Sequence, residues 1–256
     1  MTAAATLADA IAIAEAARPV ALAHFRTRLG VEFKADESPV TAADRGVEEE
    51  VRRIIAARFP DHGIFGEEHG VERADGDDLW IVDPIDGTRS FITGHPLFGF
   101  LLAWLHRGAA RLAVVSIPAT GEIFAAEAGG GAFLNGAPIR TSGRTDAAGA
   151  AIYVNEGEKI WRARPDVFGR LMSFGTTRRL SYDCYPYGLL AMGHVDVVVD
   201  YDLQPYDYHP VALLVAEAGG VMTDWDGNPM GMGHNVPVVA AASAELHAKA
   251  LAAVRG

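Results

Sequence analysis

The sequence predicts a layered α+β protein, and three observations predict it. Segments of helical periodicity and short apolar, strand-like runs are interspersed from end to end. Of the 256 residues, 50% are hydrophobic, which is ample for a large buried core. One polar stretch of small residues, Thr141–Gly149, marks a boundary between a first lobe, residues 1–140, and a second, residues 141–256, packed as one functional unit. There is no internal repeat and no low-complexity linker.

Met1–Leu22 is apolar but lacks the basic start of a signal peptide, and Asp9, Glu15 and Arg18 interrupt it. It reads as an Ala-rich amphipathic helix with Leu7, Ile11, Ile13 and Ala14 on or near one face. A second helix follows Thr41, its acidic and apolar residues, Asp44–Phe59, including Val47, Val51, Ile54 and Ile55 at helical spacing, with Pro60 helping to stop it. Gly63–Gly66 is a short strand, and Leu79–Val82 a buried one that ends at Asp83-Pro84. Phe98–Leu105 and Leu112–Ile117 pair across the Arg107-Gly108 turn, and Glu122–Ala126 and Gly131–Leu134 continue the sheet. Asn135-Gly136 is a hairpin turn, because both residues tolerate positive φ. Beyond the boundary, Ala151–Asn155 and Val195–Val199 are strands, and Tyr185–Met192 and Tyr208–Ala218 are helices.

Composition excludes several classes of function. The net charge is -11 and the pI about 5.2, with no run of Lys and Arg, so nothing offers nucleic acid an electrostatic footprint. No stretch reaches the ~18 uninterrupted apolar residues of a membrane span. A single cysteine, Cys184, excludes an internal disulfide and fits a reducing compartment. The expectation is a soluble, cytoplasmic protein in which Cys184 is a packed residue. The histidines are scattered, without the His-x-x-x-His spacing of a soft-metal site.

The acidic residues of chemical interest sit at element ends. Glu67-Glu68 follows one strand, Asp83-Pro84-Ile85-Asp86-Gly87-Thr88 follows another, and Asp207 starts the last large helix. Carboxylates at strand ends converge on a crevice more readily than those on a helix surface. Magnesium takes hard oxygen ligands, a few carboxylates plus water and substrate phosphate. Asp83 and Asp86 are three residues apart, and Pro84 stiffens the turn, so both carboxylates and the Ile85 carbonyl would face one site. Gly87 permits close backbone approach, and N–H groups at a helix start attract anions. Thr88 adds a hydroxyl that can orient a water. Taken singly, Asp86 before Gly87 also reads as a turn residue.

These blocks resemble the inositol monophosphatase superfamily of lithium-sensitive, metal-dependent phosphatases. Thr41-Ala42-Ala43-Asp44, Gly66-Glu67-Glu68, Trp80 to Thr88, Gly131 to Gly136, and Asp207 ahead of Glu217-Ala218-Gly219-Gly220 match in order, nearly end to end. The Asp-Pro-Ile-Asp-Gly-Thr block is highly specific. The resemblance implies a layered α/β sandwich of the inositol monophosphatase and fructose bisphosphatase type, two or three Mg2+ ions per active site, and a homodimer. It implies that Glu67, Asp83 and the Ile85 carbonyl hold one ion, that Asp83, Asp86 and Asp207 hold a second, and that Glu67 reaches a weaker third. Glu68 would support these ligands. Asp44 and Thr88 would orient and deprotonate the attacking water, and the Gly87 and Thr88 N–H groups would bind phosphate.

Within the superfamily, Arg89-Ser90-Phe91-Ile92, Tyr182-Asp183-Cys184-Tyr185-Pro186-Tyr187 and Leu203-Gln204-Pro205-Tyr206-Asp207 resemble the histidinol-phosphatase branch. The inositol branch more often has Asn before that Phe and Trp where Tyr206 stands. The implied reaction is hydrolysis of histidinol phosphate, a small-molecule ester, in histidine biosynthesis. A broad-range inositol monophosphatase is the alternative, and a regulatory protein keeping the fold is a further one, although every expected ligand is present. Histidinol phosphate carries an amine and an imidazole, and Asp183 and Asp200 are candidates to read the amine. Asp183 also reads as a helix N-cap and Asp200 as a strand-end turn residue. Asp200 stands seven residues before Asp207, where the family often has a longer Glu. Arg178 and Arg179 read as solvated surface charges.

Overall fold

The computed structural model describes residues 4–28, 30–33 and 39–256. Helix α1, Leu7–His24, starts at a capping box in which the Thr6 and Asp9 side chains each accept the other's backbone N–H. Its buried face is Ala10, Ile13, Ala14, Ala17 and Ala21, small enough to lie close to a sheet, whereas Leu7 and Ile11 are only half-buried. Strands β1, Val31–Phe33, and β2, Pro39–Thr41, form an antiparallel ribbon. Helix α2, Ala42–Arg58, follows Thr41 as expected, and Thr41 and Asp44 form a second capping box at its start. Among its buried residues are Val47, Val51 and Ile55.

The larger sheet contains β3 (Gly63–Gly66), β4 (Gly70–Glu72), β5 (Asp78–Asp86), β6 (Gly99–His106), β7 (Ala109–Ile117), β8 (Glu122–Glu127), β9 (Gly131–Leu134) and β10 (Ala137–Ile139). Its order is β10-β9-β8-β7-β6-β5-β3-β4. Only the β3–β5 pair is parallel, and it aligns Gly66 with Val82. The next residues, Glu67 just after β3 and Asp83 within β5, therefore lie side by side at the same end of the sheet. The expectation that the strand ends at Asp83-Pro84 needs correction. Asp83 pairs with Leu101, the register then shifts, and Asp86 pairs again with Gly99. Proline has no N–H for the ladder, and the resulting irregularity re-aims the side chains around it. Helix α3, Thr88–Ile92, follows at once.

The smaller sheet holds β11 (Ala151–Asn155), β12 (Thr177–Ser181), β13 (Val197–Leu203), β14 (Val221–Asp224) and β15 (Val236–Ala241), in the order β12-β11-β13-β15-β14. With it come α4 (Gly157–Ala163), α5 (Pro165–Leu171), α6 (Tyr185–Ala191), α7 (Pro205–Glu217) and α8 (Ala244–Arg255). Helix α8 follows α7, the helix expected to be the last large one.

Strand alternation sorts the core into layers. Trp80, Val82, Leu102 and Val114 face α1 and α2. Leu101, Ala113 and Val115 point the other way, onto α6 and α7, which also receive Val198, Val238 and Ala240 of the smaller sheet. Val197, Val199, Val239 and Ala241 face α5 and α8. The result is a helix–sheet–helix–sheet–helix sandwich, as the fold class anticipated. No helix among the described residues is long and apolar enough to cross a membrane.

Candidate active site

Asp83, Asp86 and Asp207 converge, each with one carboxylate oxygen within 4.8 Å of the others. The first two flank the irregularity in β5, and Asp207 lies in the first turn of α7. Each is oriented by a backbone N–H: Ile85 N donates to Asp83 Oδ1 (3.0 Å), Cys184 N to Asp86 Oδ2 (2.5 Å) and Gln204 N to Asp207 Oδ2 (2.7 Å). Asp83 is held well above the usual carboxylate range by burial and then by the charges of Glu67, Asp86 and Asp207. Asp86 is raised likewise, by burial and then by Asp183 and Asp207. Burial pushes Asp207 up to about 8 against the opposing Gln204 N–H bond, with Glu67 adding to the rise. Buried, mutually repelling oxygen donors of this kind fit a hard divalent cation.

Glu67 occupies the turn after β3, its N–H donated to Val82 O (3.2 Å). The turn itself is held by a carboxylate that sequence reasoning missed. Glu48, buried on α2, accepts the Glu68 N–H at Oε2 (2.7 Å) and the His69 N–H at Oε1 (3.1 Å). Gly66 makes room for it: a Cβ there would lie 2.1 Å from Glu48 Oε1. The available signal was a glutamate one position after Val47, inside the apolar stripe of the helix. Glu68 is half-buried beside Glu67, and its charge acts on Arg45 and Tyr206.

Asp44 is fully buried. Its Oδ2 accepts the Thr41 N–H and hydroxyl, and its Oδ1 accepts the Thr88 hydroxyl (3.1 Å). The Ile85 carbonyl is a second acceptor for Thr88, at 3.3 Å. Gly87, at φ 81°, turns the chain into α3, and a Cβ there would meet Asp183 Cγ at 2.3 Å. Only glycine supplies both the left-handed backbone and the clearance.

A cavity of about 180 Å³ joins Glu67, Asp86, Gly87, Thr88 and Asp207 to Asp183 and Asp200. Asp183 is no helix cap. It sits at φ 63°, one residue before the cap, and its Oδ2 accepts the Ser90 hydroxyl (2.5 Å). Burial raises it to about 6. Asp200 lies within β13, not in a turn, and its carboxylate is engaged by Asn155 Nδ2 (2.8 Å), the Tyr187 hydroxyl (3.0 Å) and Tyr201 N (2.8 Å). Burial pushes it up to about 7. Sequence reasoning missed Glu156 and Asp202, which also line the cavity at positive φ and share Lys159 at 3.1 and 3.2 Å. Cys184 is buried. Arg178 and Arg179 lie exposed on β12.

The sequence profile of the inositol monophosphatase family matches residues 3–256. A histidinol-phosphatase of Chlorobaculum parvum is 40% identical over 221 residues, 85% of each chain. A histidinol-phosphatase of Mycobacterium tuberculosis is 36% identical over 205 residues, 78% of this chain and 79% of the other. Among solved structures, an inositol monophosphatase of Zymomonas mobilis superposes with a TM-score of 0.87 at 34% identity, covering 98% of this chain and 97% of that one. With the layered fold and the carboxylate cluster, these likenesses define a phosphoric monoester hydrolase. The chain belongs to the inositol monophosphatase family. Enzymes of that family depend on metal, and the acidic cluster is of a kind that binds it.

Proposed function

We propose that this chain is a magnesium-dependent phosphatase of histidinol phosphate. The observation that carries the substrate is the Asp183 carboxylate. It lines the active-site cavity, accepts a hydrogen bond from Ser90, and has no ion pair with Lys or Arg among the described residues. An ammonium on the leaving group would supply its counter-ion, whereas an inositol ring offers none. The identity to the Chlorobaculum parvum histidinol-phosphatase supports the same reading.

In this reading Glu67, Asp83, Asp86, Asp207 and the Ile85 carbonyl hold the metal, with Glu68 steadying Glu67 in its turn. Bound magnesium would supply charge neutralisation at the phosphate and a more acidic water. The chain's own groups do the rest. The Thr88 hydroxyl donates to Asp44, which leaves its lone pairs to accept a hydrogen bond from the attacking water. As the water oxygen bonds to phosphorus, its proton passes to Thr88 Oγ1 while the Thr88 proton passes to Asp44 Oδ1, and the bond from phosphorus to the ester oxygen breaks, releasing the alcohol once that oxygen takes a proton from solvent. The Gly87 and Thr88 N–H groups hold phosphate oxygens, and positioning of this kind supplies much of the rate in phosphoryl transfer. Asp200, engaged by Asn155 and Tyr187, braces the cavity wall.

The test is phosphate release with magnesium from histidinol phosphate, inositol 1-phosphate and fructose 1,6-bisphosphate. The highest kcat/KM is expected for histidinol phosphate. Faster hydrolysis of inositol 1-phosphate at low substrate would favour the second reading, an inositol monophosphatase, which the Zymomonas mobilis likeness supports.

A further inference from the structure

The active-site cavity has a neighbour. A second cavity, of about 390 Å³, shares Asp183 with it as a common wall. The two differ in chemistry. The first is lined by carboxylates, whereas the second is walled by Tyr153, Tyr182, Tyr185, Leu97 and Leu189. Asp183 sets this division. Its left-handed backbone, at φ 63°, turns the chain between Tyr182 and Cys184. Cys184 then goes into the core, its N–H on Asp86, while Tyr182 stays 50% exposed on the wall of the second cavity. The Tyr185 ring is tethered by its hydroxyl, 3.3 Å from Glu122 Oε1. The Tyr182 hydroxyl has no such tie among the described residues, so its ring has area left to bury against a ligand. His95 and Arg179 are the basic groups in the walls, and they favour an uncharged ring over a cationic one.

A leaving group that carries an ammonium and a flat ring matches this pair of cavities, because a carboxylate stands between the phosphate site and an aromatic wall. We infer that the tyrosine-walled cavity receives the ring end of an aromatic amino-alcohol phosphate, with the ammonium against Asp183 and the phosphate at the carboxylate cluster. The inference rests on the histidinol phosphate reading and adds to it a place for the imidazole.

The test compares histidinol phosphate with O-phosphoethanolamine, which keeps the phosphate and the amine at the same spacing and lacks the ring. Tyr182→Ala removes one wall. Ser181→Phe, at another lining position, fills the space. Each variant should raise KM for histidinol phosphate about tenfold relative to KM for O-phosphoethanolamine, as loss of aromatic contact implies. Equal shifts for the two esters, or none, in variants with native circular dichroism would overturn the ring site and leave the substrate assignment standing. A wild-type enzyme that hydrolyses other esters but not histidinol phosphate would overturn both.

Discussion

Thr88 donates its hydroxyl hydrogen to Asp44 Oδ1 at 3.1 Å, while Asp44 Oδ2 caps helix α2 through the N–H and hydroxyl of Thr41 at 2.8 and 2.6 Å. One buried carboxylate thus starts a helix with one oxygen and faces the proposed nucleophile site with the other. Rotating it to improve either contact gives up the other, so the helix cap holds the acceptor of the Thr88 proton in place.

This relationship separates rate from stability. Thr88→Ala should lower kcat by ~10²–10⁴-fold with a smaller change in KM, because the backbone N–H survives. Asp44→Asn keeps an oxygen for the cap, so it should lose activity with little loss of Tm. Asp44→Ala loses the cap as well, at about 1 kcal/mol. Steady-state kinetics and thermal melts on the three variants check this. A Thr88→Ala enzyme with normal kcat and a raised KM would make the hydroxyl a substrate contact.

Asp83 stands at the centre of the like-charged cluster. On the proposed function, magnesium should raise the Tm of the wild type, and Asp83→Asn should abolish turnover and remove that rise. In EDTA, however, the variant should be at least as stable as the wild type, because an amide is neutral at every pH in a site that disfavours the Asp83 anion, and its oxygen can still accept the Ile85 N–H. Paired melts with and without magnesium measure both effects, and a folded variant that keeps wild-type turnover would sink the assignment.

The same cluster sets the pH response of the metal-free protein. Asp207 has an ordinary value of 3.8 and a folded value of about 8, and Asp83 and Asp86 are raised as well. A group raised on folding contributes stability that is full below its unfolded pKa and is lost as pH rises through its folded one. Tm in EDTA should therefore fall between pH 6.5 and 8, and the stabilisation by magnesium should grow over that range. His209, depressed to about 4 from 6.5 by burial, acts in the opposite sense, and its contribution is lost only below that window. A magnesium effect that is flat with pH would show that the cluster is not what binds the ion.

Glu48 ties the Glu67-Glu68 turn to α2 through two backbone N–H groups. In Glu48→Gln one acceptor becomes a donor facing a donor. Loss of a charge-assisted hydrogen bond, roughly 1.5–3 kcal/mol, should appear as about a ten- to hundredfold rise in the magnesium concentration for half-maximal activity. A normal magnesium titration would limit Glu48 to a structural role.

Much of this was legible in the sequence because it is written in short, contiguous signals. Val47, Val51 and Ile55 mark α2 by period, and Asp83 to Thr88 carries two of the clustered carboxylates and the turn in one block. The missed elements lacked such density. Helices α4 and α5 are seven residues each and follow one another directly, with Gly157, Pro165 and Gly169 breaking up the pattern of their few apolar residues. Helix α8 had a signal in Ser243 and in the spacing of Leu246, Ala250 and Val254. Glu48 and Lys159 take their meaning from partners distant in sequence or from unusual backbone, as with Asp202 at φ 74°. Asp183 and Asp200 were found as acids, but which one remained available to a ligand depended on Ser90, Asn155 and Tyr187, which only folding brings to them.

The parallel pairing of β3 with β5 bears on the order in which the site comes into being. Glu67 and Asp83 are brought together by strands close in sequence, so a chain emerging from the ribosome can assemble that corner early. Asp207 belongs to a helix that packs between the two sheets and is made much later. Until the second half of the polypeptide has been synthesised and has docked, the newborn protein lacks one of the carboxylates that the proposed function gives to the metal. On that proposal, its chemistry is withheld until Asp207 and the rest of α7 are in place.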